Sequence, residues 1–159
     1  MTHEYRTTVE WNRQGAAFVD NKYSRGHVWL FDGGVEVPAS SAPSSVPLPY
    51  SVATAVDPEE ALVAAASSCH MLTFLSIAAK QGFVIDRYLD EAMGSMSPND
   101  RDQLYVSKIV LSPDVTFSGS KQPSGHELDA LHHRAHEECY IANSVKADII
   151  VRPKRLTRG

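Results

Sequence analysis

The sequence from Asp57 to Gly82 constrains the fold more than any other part of the chain. It reads DPEEALVAAASSCHMLTFLSIAAKQG and carries no charged side chain between its first turn and its last. Asp57 and Glu60 have the spacing of a capping box. Pro58 suits the first helical position, and Gly82 suits the left-handed residue that ends a helix. We therefore predict a helix from Pro58 to Gln81.

This helix has no charged face, so we expect it to be buried on every side. Its polar residues are small and uncharged. The strands of a chain of 159 residues are too few to cover such a helix alone, and we predict a dimer built around it. The same polar residues interrupt the apolar run, so we expect no membrane span. The small polar residues are Ser67, Ser68, Thr73 and Ser76, and His70 interrupts the apolar run with them.

The amino-acid composition excludes several classes of protein. Apolar residues make up 43% and charged residues 21%, as in ordinary globular proteins. The net charge of −4 argues against a nucleic-acid partner. Residues 1–13 lack the apolar core of a signal peptide, so we expect a cytoplasmic protein. In a reducing compartment two cysteines, Cys69 and Cys139, are too few for a structural framework and enough for one redox pair.

Strand and turn patterns flank the long helix. Residues 38–56 are rich in Pro and Ser and predict a long ordered loop or edge segment. Ser124 and Glu127 form a second capping box and open a second helix. Its predicted apolar stripe is Leu128, Leu131, Ala135, Cys139 and Ala142. The predicted strands are 4–11, 16–20, 27–37, 83–93, 104–117 and 145–151, with turns at 32–34 and 94–102.

These elements predict a single α+β domain over residues 1–159. Antiparallel strands occupy 1–37, and the Pro- and Ser-rich loop occupies 38–56. Residues 57–159 follow in the order helix, strand, strand, helix, strand.

The two cysteines are the first candidates for chemistry. Cys69 lies in the middle of the buried helix, and Cys139 lies on the apolar stripe of the second helix. A lone cysteine in such a place is often a small core residue. Two facing helices could instead bring the two sulfur atoms together.

Histidines accompany both cysteines. His132 and His136 lie on the same helix face as Cys139, and His70 follows Cys69 directly. A histidine beside a thiol favours the thiolate or relays a proton. We name His136 and His70 as supporting candidates, whereas His126 and His133 are expected in solvent.

A metal site is an alternative for the same residues. Cys69, Cys139, His136 and one further histidine could surround zinc, and His132 and His136 have the i, i+4 spacing of a chelate. Against this, Cys69 and His70 point about 100 degrees apart on one helix. The sequence also contains no short Cys-x-x-Cys spacing.

A reactive thiolate needs a nearby positive charge. The candidates are Arg6, Arg13 and Arg25, of which Arg25 is best placed to project from a hairpin. Glu59 could orient that guanidinium through a two-point pair. Because Glu59 precedes Cys69 by ten residues, about 15 Å along the helix axis, a shared site needs an arginine bridge or a two-fold partner.

Two segments resemble the OsmC/Ohr superfamily, the osmotically induced and organic hydroperoxide resistance proteins. They are DPEEALVAAASSCHML and AHEECYIANSVKADIIV. The resemblance covers nearly the whole chain in element order. It implies an α+β fold with antiparallel sheets packed on a long buried central helix, in an intertwined homodimer with peroxidase sites at the subunit interface.

The resemblance also implies residue roles. Cys69 matches the cysteine that attacks the peroxide, Cys139 the resolving cysteine and Glu59 the glutamate that holds an active-site arginine, for which Arg25 is our candidate. Tyr140 stands where typical members have proline. The sequences Cys-His-Met-Leu and Cys-Tyr-Ile-Ala-Asn-Ser therefore resemble the OsmC-like branch.

The implied activity is thiol-dependent reduction of organic, including lipid, hydroperoxides in oxidative-stress defence. The cycle forms a redox-active disulfide and needs no cofactor besides an external dithiol reductant, for example of lipoyl type. Apolar walls from the long helix and from the loop around Tyr50 favour alkyl or lipid hydroperoxides. The alternative is an OsmC-like dimer that binds a small molecule or a metal without peroxidase turnover.

Overall fold

The computed structural model describes residues 2–155, which fall into two compact units that divide within the first helix, between Ala61 and Leu62. The first unit contains a three-stranded antiparallel sheet in the order β1-β2-β3. Its strands are β1 (Thr7–Glu10), β2 (His27–Phe31) and β3 (Glu36–Ala39). The expectation of a single domain stays a prediction.

The predicted strand at 16–20 is wrong. Gln14 and Gly15 adopt positive φ angles of 52° and 78°, so the chain turns before this segment. The apolar residues then pack locally rather than pairing with a strand. Phe18 stacks on Tyr23 at a centroid distance of 4.7 Å and lies 6.0 Å from the Trp11 ring.

The segment after β3 forms no strand but is tied to its neighbours. Ser40 donates its backbone N–H to Val56 O at 3.0 Å, and its hydroxyl accepts from Val52 N at 3.0 Å. Ala39 and Val56 form an isolated parallel bridge. These contacts hold the end of the Pro- and Ser-rich loop against the end of β3, and the first helix follows directly.

The first helix, α1 (Pro58–Lys80), confirms the predicted helix to within one residue. Glu60 N donates to Asp57 Oδ1 at 2.8 Å, and Asp57 N donates to Glu60 Oε2 at 3.4 Å, which completes the capping box. Gly82 has a φ of 79°, the left-handed conformation that ends a helix.

One face of α1 packs in the core and another is open. The single chain leaves part of α1 in solvent, where Leu72 is 62% exposed. Burial on every side, which we expect only in a dimer, stays a prediction. By length and composition alone α1 could cross a membrane, and the core helices of water-soluble proteins share the same length and composition. Its buried residues are Ala66, His70, Phe74, Ile77 and Ala78, and its open stripe is Ala65, Ser68, Leu72, Ser76 and Ala79.

The second unit contains two further sheets. β4 (Val84–Asp90) pairs antiparallel with β7 (Pro113–Ser118). β6 (Leu104–Leu111) lies between β5 (Met93–Pro98), to which it is antiparallel, and β8 (Asp148–Val151), to which it is parallel.

Three predicted strand boundaries are wrong in this unit. The strand predicted at 83–93 ends at Asp90, and Met93 already begins β5. The segment 94–102 was expected to be a turn, but β5 occupies it as far as Pro98. The single strand predicted at 104–117 breaks at Ser112, because the Ser112 N–H donates to Asp90 Oδ1 at 2.6 Å instead of to a strand. Pro113 then opens β7 in a different sheet.

The second helix, α2 (Gly125–Glu138), begins with the predicted capping box between Ser124 and Glu127. Its hydrogen bonds hold the pKa of the Glu127 carboxyl below its usual value. The predicted continuation of the helix through Cys139 and Ala142 is wrong. Cys139 is the C-cap residue, with an extended backbone, and the chain turns away there.

The two helices and the sheets enclose two apolar clusters. The C-terminal half of α1 packs with α2, through residues that include Phe74, Ile77, Leu128 and Leu131. The middle of α1 packs at Ala66 against β6 and β8, through residues that include Ile109, Leu111 and Ile149. The mixed α+β fold is thus built on α1, with Cys69 between the two clusters along the sequence.

Candidate functional site

The structure brings the two cysteine thiols together. Cys69 lies in the middle of α1 and is partly buried, and Cys139 follows the last turn of α2 and is 1% exposed. Both thiols are free, and they lie close enough to interact directly. The sequence pattern did not settle this contact, since either residue could have been an isolated core cysteine.

The environment of Cys139 disfavours its thiolate. The pKa of the Cys139 thiol is raised to about 11, chiefly by burial and also by the neighbouring Cys69 thiol. The backbone N–H groups of Ala142 and Ile141 act in the opposite direction. The Ala142 N–H donates to Cys139 Sγ at 3.4 Å. Cys139 is therefore a buried, protonated thiol whose sulfur already faces hydrogen-bond donors.

His70 does not turn toward solvent beside Cys69. It is 1% exposed and its Nε2 lies 3.1 Å from Nδ1 of His132, which is 3% exposed. The sequence predicted His132 and His136 on one face but did not reveal this pair. The signal that could have found it is the spacing of His70 and Phe74 on the apolar face of α1, since Phe74 stacks on the His132 ring at 4.2 Å.

His136 lies partly buried, and its Nδ1 atom has no hydrogen-bond partner among the described residues. It borders a cleft of about 370 Å³ between α2 and β8. As expected, His126 and His133 are exposed, and His133 lies 3.3 Å from the Glu137 carboxylate. The cleft is lined by Asp129, His132, His133, His136, Ile149, Val151 and Pro153.

The metal alternative gains no support from this geometry. Within residues 2–155, no three His, Cys, Asp or Glu side chains are grouped so that they could hold a metal ion.

Arg25 and Glu59 belong to the first unit, and the structure does not pair them. The Arg25 guanidinium donates to Asn21 Oδ1 at 2.6 Å and to Asn21 O at 2.9 Å. It also donates to Tyr23 O at 2.5 Å and lies 3.8 Å over the Tyr23 ring. Glu59 is partly buried in the first turn of α1. Their roles stay predictions.

Sequence reasoning missed Asp90 as a structural residue near the candidate site. Its carboxylate accepts from Ser67 Oγ at 2.5 Å and from Ser112 N at 2.6 Å. It thereby links α1, two residues before Cys69, to the end of β4 and to the break between β6 and β7. Ser67 appeared in the sequence as one of several small polar residues, and no local signal marked its partner.

Comparison with known proteins gives one family and many structural matches. The OsmC-like protein family model matches residues 51–154. An OsmC-like protein of unknown function from Vibrio cholerae is 49% identical, with a TM-score of 0.94, over 96% of this chain and 100% of that one. No curated protein matches.

More distant solved structures share the fold. An OsmC-like protein from Mycoplasma pneumoniae is 17% identical, with a TM-score of 0.73, over 97% of this chain and 98% of that one. The organic hydroperoxide resistance protein OhrB of Bacillus subtilis is also 17% identical, with a TM-score of 0.65, over 96% and 98%. The predicted resemblance and the predicted α+β fold are confirmed.

Proposed function

The chain belongs to the OsmC-like protein family, and we propose that it is a thiol-dependent peroxidase that reduces organic hydroperoxides through Cys69 and Cys139. The observation that carries this proposal is the proximity of two free thiols, one in the middle of α1 and one at the residue that follows α2. Several distant structural neighbours are organic hydroperoxide resistance proteins, which supports the same reaction class.

The two thiols differ in a way that suits different roles. Cys69 is partly exposed and is the less buried of the two cysteines, which suits the residue that meets the peroxide. Cys139 is buried and its pKa is raised to about 11, so it remains a thiol at neutral pH and does not compete for the peroxide. We assign peroxide attack to Cys69 and resolution to Cys139.

In the first step the Cys69 thiolate attacks the terminal oxygen of the hydroperoxide and the O–O bond breaks. The alkoxide takes a proton and leaves as an alcohol, while Cys69 becomes a sulfenic acid. In the second step the Cys139 sulfur attacks the Cys69 sulfur, and water leaves with the oxygen of the sulfenic acid. An external dithiol then reduces the disulfide, and no bound cofactor takes part.

Arg25 and Glu59 complete the proposed machinery. A guanidinium near Cys69 would favour the thiolate and the departing oxyanion, and Glu59 would hold that guanidinium in position. Glu59 lies about 15 Å from Cys69 along α1, too far for direct contact. It would therefore act on Cys69 through an arginine that bridges the two residues, or it would act at the site of the partner subunit.

We further propose a homodimer that works in the cytoplasm. The open stripe of α1 is uncharged along Ala65, Ser68, Leu72 and Ser76, and Leu72 leaves 62% of its surface in solvent. The small residues of this stripe permit the close approach of a second helix. In a symmetric dimer, a second copy of the chain would cover this stripe with the same stripe of its own α1.

The direct test is a thiol titration of the reduced protein before and after one equivalent of an organic hydroperoxide. We expect the loss of two thiols per chain, with no covalent dimer on a non-reducing gel. The alternative, an OsmC-like dimer that binds a ligand without turnover, predicts that a folded protein keeps both thiols. That result would rule out the peroxidase.

A further inference from the structure

The turn that follows α2 holds Cys139 through hydrogen bonds that centre on Asn143. The side-chain amide of Asn143 donates to Glu137 O at 2.9 Å and to Cys139 O at 3.0 Å. The backbone N–H of Asn143 also donates to Cys139 O, at 3.1 Å. The Asn143 side chain thereby links the last turn of α2 to Cys139, the residue with the buried thiol.

The same turn points backbone donors at the sulfur. The Ala142 N–H donates to Cys139 Sγ at 3.4 Å, and the N–H groups of Ile141 and Ala142 both favour the thiolate of Cys139. A sulfur that attacks another sulfur is more nucleophilic as a thiolate. Burial opposes that charge, so the direction of these two N–H groups affects how readily Cys139 reacts.

We propose that Asn143 is a positioning residue for disulfide formation, which holds the turn so that the N–H groups of Ile141 and Ala142 face the Cys139 sulfur and the sulfur faces Cys69. This inference rests on the proposed peroxidase function and deepens it. In the step concerned, Cys139 Sγ donates an electron pair to Cys69 Sγ and the S–O bond of the sulfenic acid breaks. The hydroxide that leaves takes the Cys139 proton and departs as water.

The test compares Asn143→Asp with Ser144→Ala. Aspartate keeps the shape of asparagine but has no N–H to donate. Ser144 lies in the same turn and donates to Tyr140 O at 2.6 Å, not to Cys139. After rapid mixing with an organic hydroperoxide, we expect both variants to lose the first thiol at the wild-type rate. Disulfide formation should be about tenfold slower in Asn143→Asp alone.

A second readout separates a positioning role from a general structural one. Slower resolution leaves the Cys69 sulfenic acid exposed to further peroxide, so Asn143→Asp should accumulate sulfinic acid, seen by mass spectrometry. In a Cys69→Ser background, alkylation of Cys139 across pH 8 to 11 should shift to higher pH in Asn143→Ala, which removes the amide without adding the negative charge of aspartate, because the turn no longer directs its N–H groups at the sulfur.

The proposal can fail independently of the peroxidase. Diamide accepts two electrons and two protons from a dithiol and so forms the disulfide without peroxide. One outcome is that the wild type fails to react with hydroperoxides while Asn143→Asp still slows disulfide formation by diamide. This result would support the positioning role and contradict the proposed peroxidase function. Wild-type rates of disulfide formation with both oxidants would overturn the positioning role. Should Asn143→Asp fail to fold by circular dichroism, Asn143→Ala is measured against the same two outcomes.

Discussion

His70 and His132 form a buried imidazole pair that joins the two helices. Nε2 of His70 lies 3.1 Å from Nδ1 of His132, and the two residues are 1% and 3% exposed. Their remaining ring nitrogens have no partner among the described residues. The pKa of His70 is lowered to about 4, chiefly by burial and also by the nearby His136, and the pKa of His132 is lowered to about 3, chiefly by burial and also by His70. Both rings are therefore neutral at pH 7.

This pair predicts a loss of stability in acid. In the unfolded chain a histidine has a pKa of about 6.5, so below that pH the unfolded state binds more protons than the folded state. The free energy of unfolding should fall between pH 6.5 and about 4, at a slope of up to about 1.4 kcal/mol per pH unit for each proton.

The measurement is urea unfolding at a series of pH values, with His132→Phe and His126→Phe as matched variants. His132→Phe keeps an aromatic ring against Phe74 but cannot be protonated, so the slope should decrease. His126 is exposed, and its replacement should leave the slope unchanged. An equal slope in the wild type and in His132→Phe would contradict the assignment to the buried pair.

Replacement of each cysteine should stop the proposed reaction at a different step. Cys69→Ser removes the attacking sulfur and should abolish hydroperoxide consumption. Cys139→Ser should permit one attack and then stop at the sulfenic acid or proceed to sulfinic acid. Peroxide assays and mass spectrometry of both variants give the answer. Equal residual turnover in the two variants would mean that the assigned roles are wrong.

The open stripe of α1 predicts the site of dimerisation. Light scattering of the wild type should give about twice 17.4 kDa at micromolar concentration. Leu72→Glu places a charge in the middle of the stripe and should produce monomers. Leu104→Glu changes a leucine of similar exposure, 68%, at the start of β6 and should remain dimeric. A folded wild-type monomer would contradict the dimer.

The sequence predicted the helices well because their signals are local. Capping residues and helix-ending glycine act within a few positions, and both α1 and the start of α2 follow them. The strand break at Ser112 was not predictable, because it depends on a hydrogen bond from a residue 22 positions away, Asp90. The residues at 16–20 pack into an aromatic cluster whose members are likewise separated along the chain.

The sequence named the two cysteines of the candidate site but not their geometry. The family resemblance named Cys69 and Cys139, and their contact depends on two helices that meet in space. The end of α2 at Glu138 was missed because residues 139 and 142 continue the apolar spacing of the helix. That spacing carried no sign that Asn143 closes the last turn through its side chain.

The proposed arginine and glutamate give a test in which charge and position predict opposite results. If Arg25 supports the Cys69 thiolate, Arg25→Ala should slow the alkylation of Cys69 at neutral pH by about tenfold or more. Arg25→Lys should recover part of this rate, because an ammonium cannot make the planar two-point pair with Glu59. Arg101→Ala, which removes an exposed arginine in the turn between β5 and β6, should alkylate as the wild type does.

Glu59→Ala makes the distinction sharper. Removal of a carboxylate makes the charge near a thiolate more favourable, so through-space electrostatics predicts a faster or unchanged reaction of Cys69. If Glu59 instead holds the guanidinium, its loss releases Arg25 and slows hydroperoxide reduction. We expect the slower rate, measured together with Cys69 alkylation across pH.

If Arg25→Ala alkylates as the wild type does, the cation is another arginine, and Arg13 and Arg6 are the next to replace. If Glu59→Ala is as fast as the wild type while Arg25→Ala is slow, Arg25 acts without Glu59, and the guanidinium is held by other partners such as Asn21, to which it already donates at 2.6 Å.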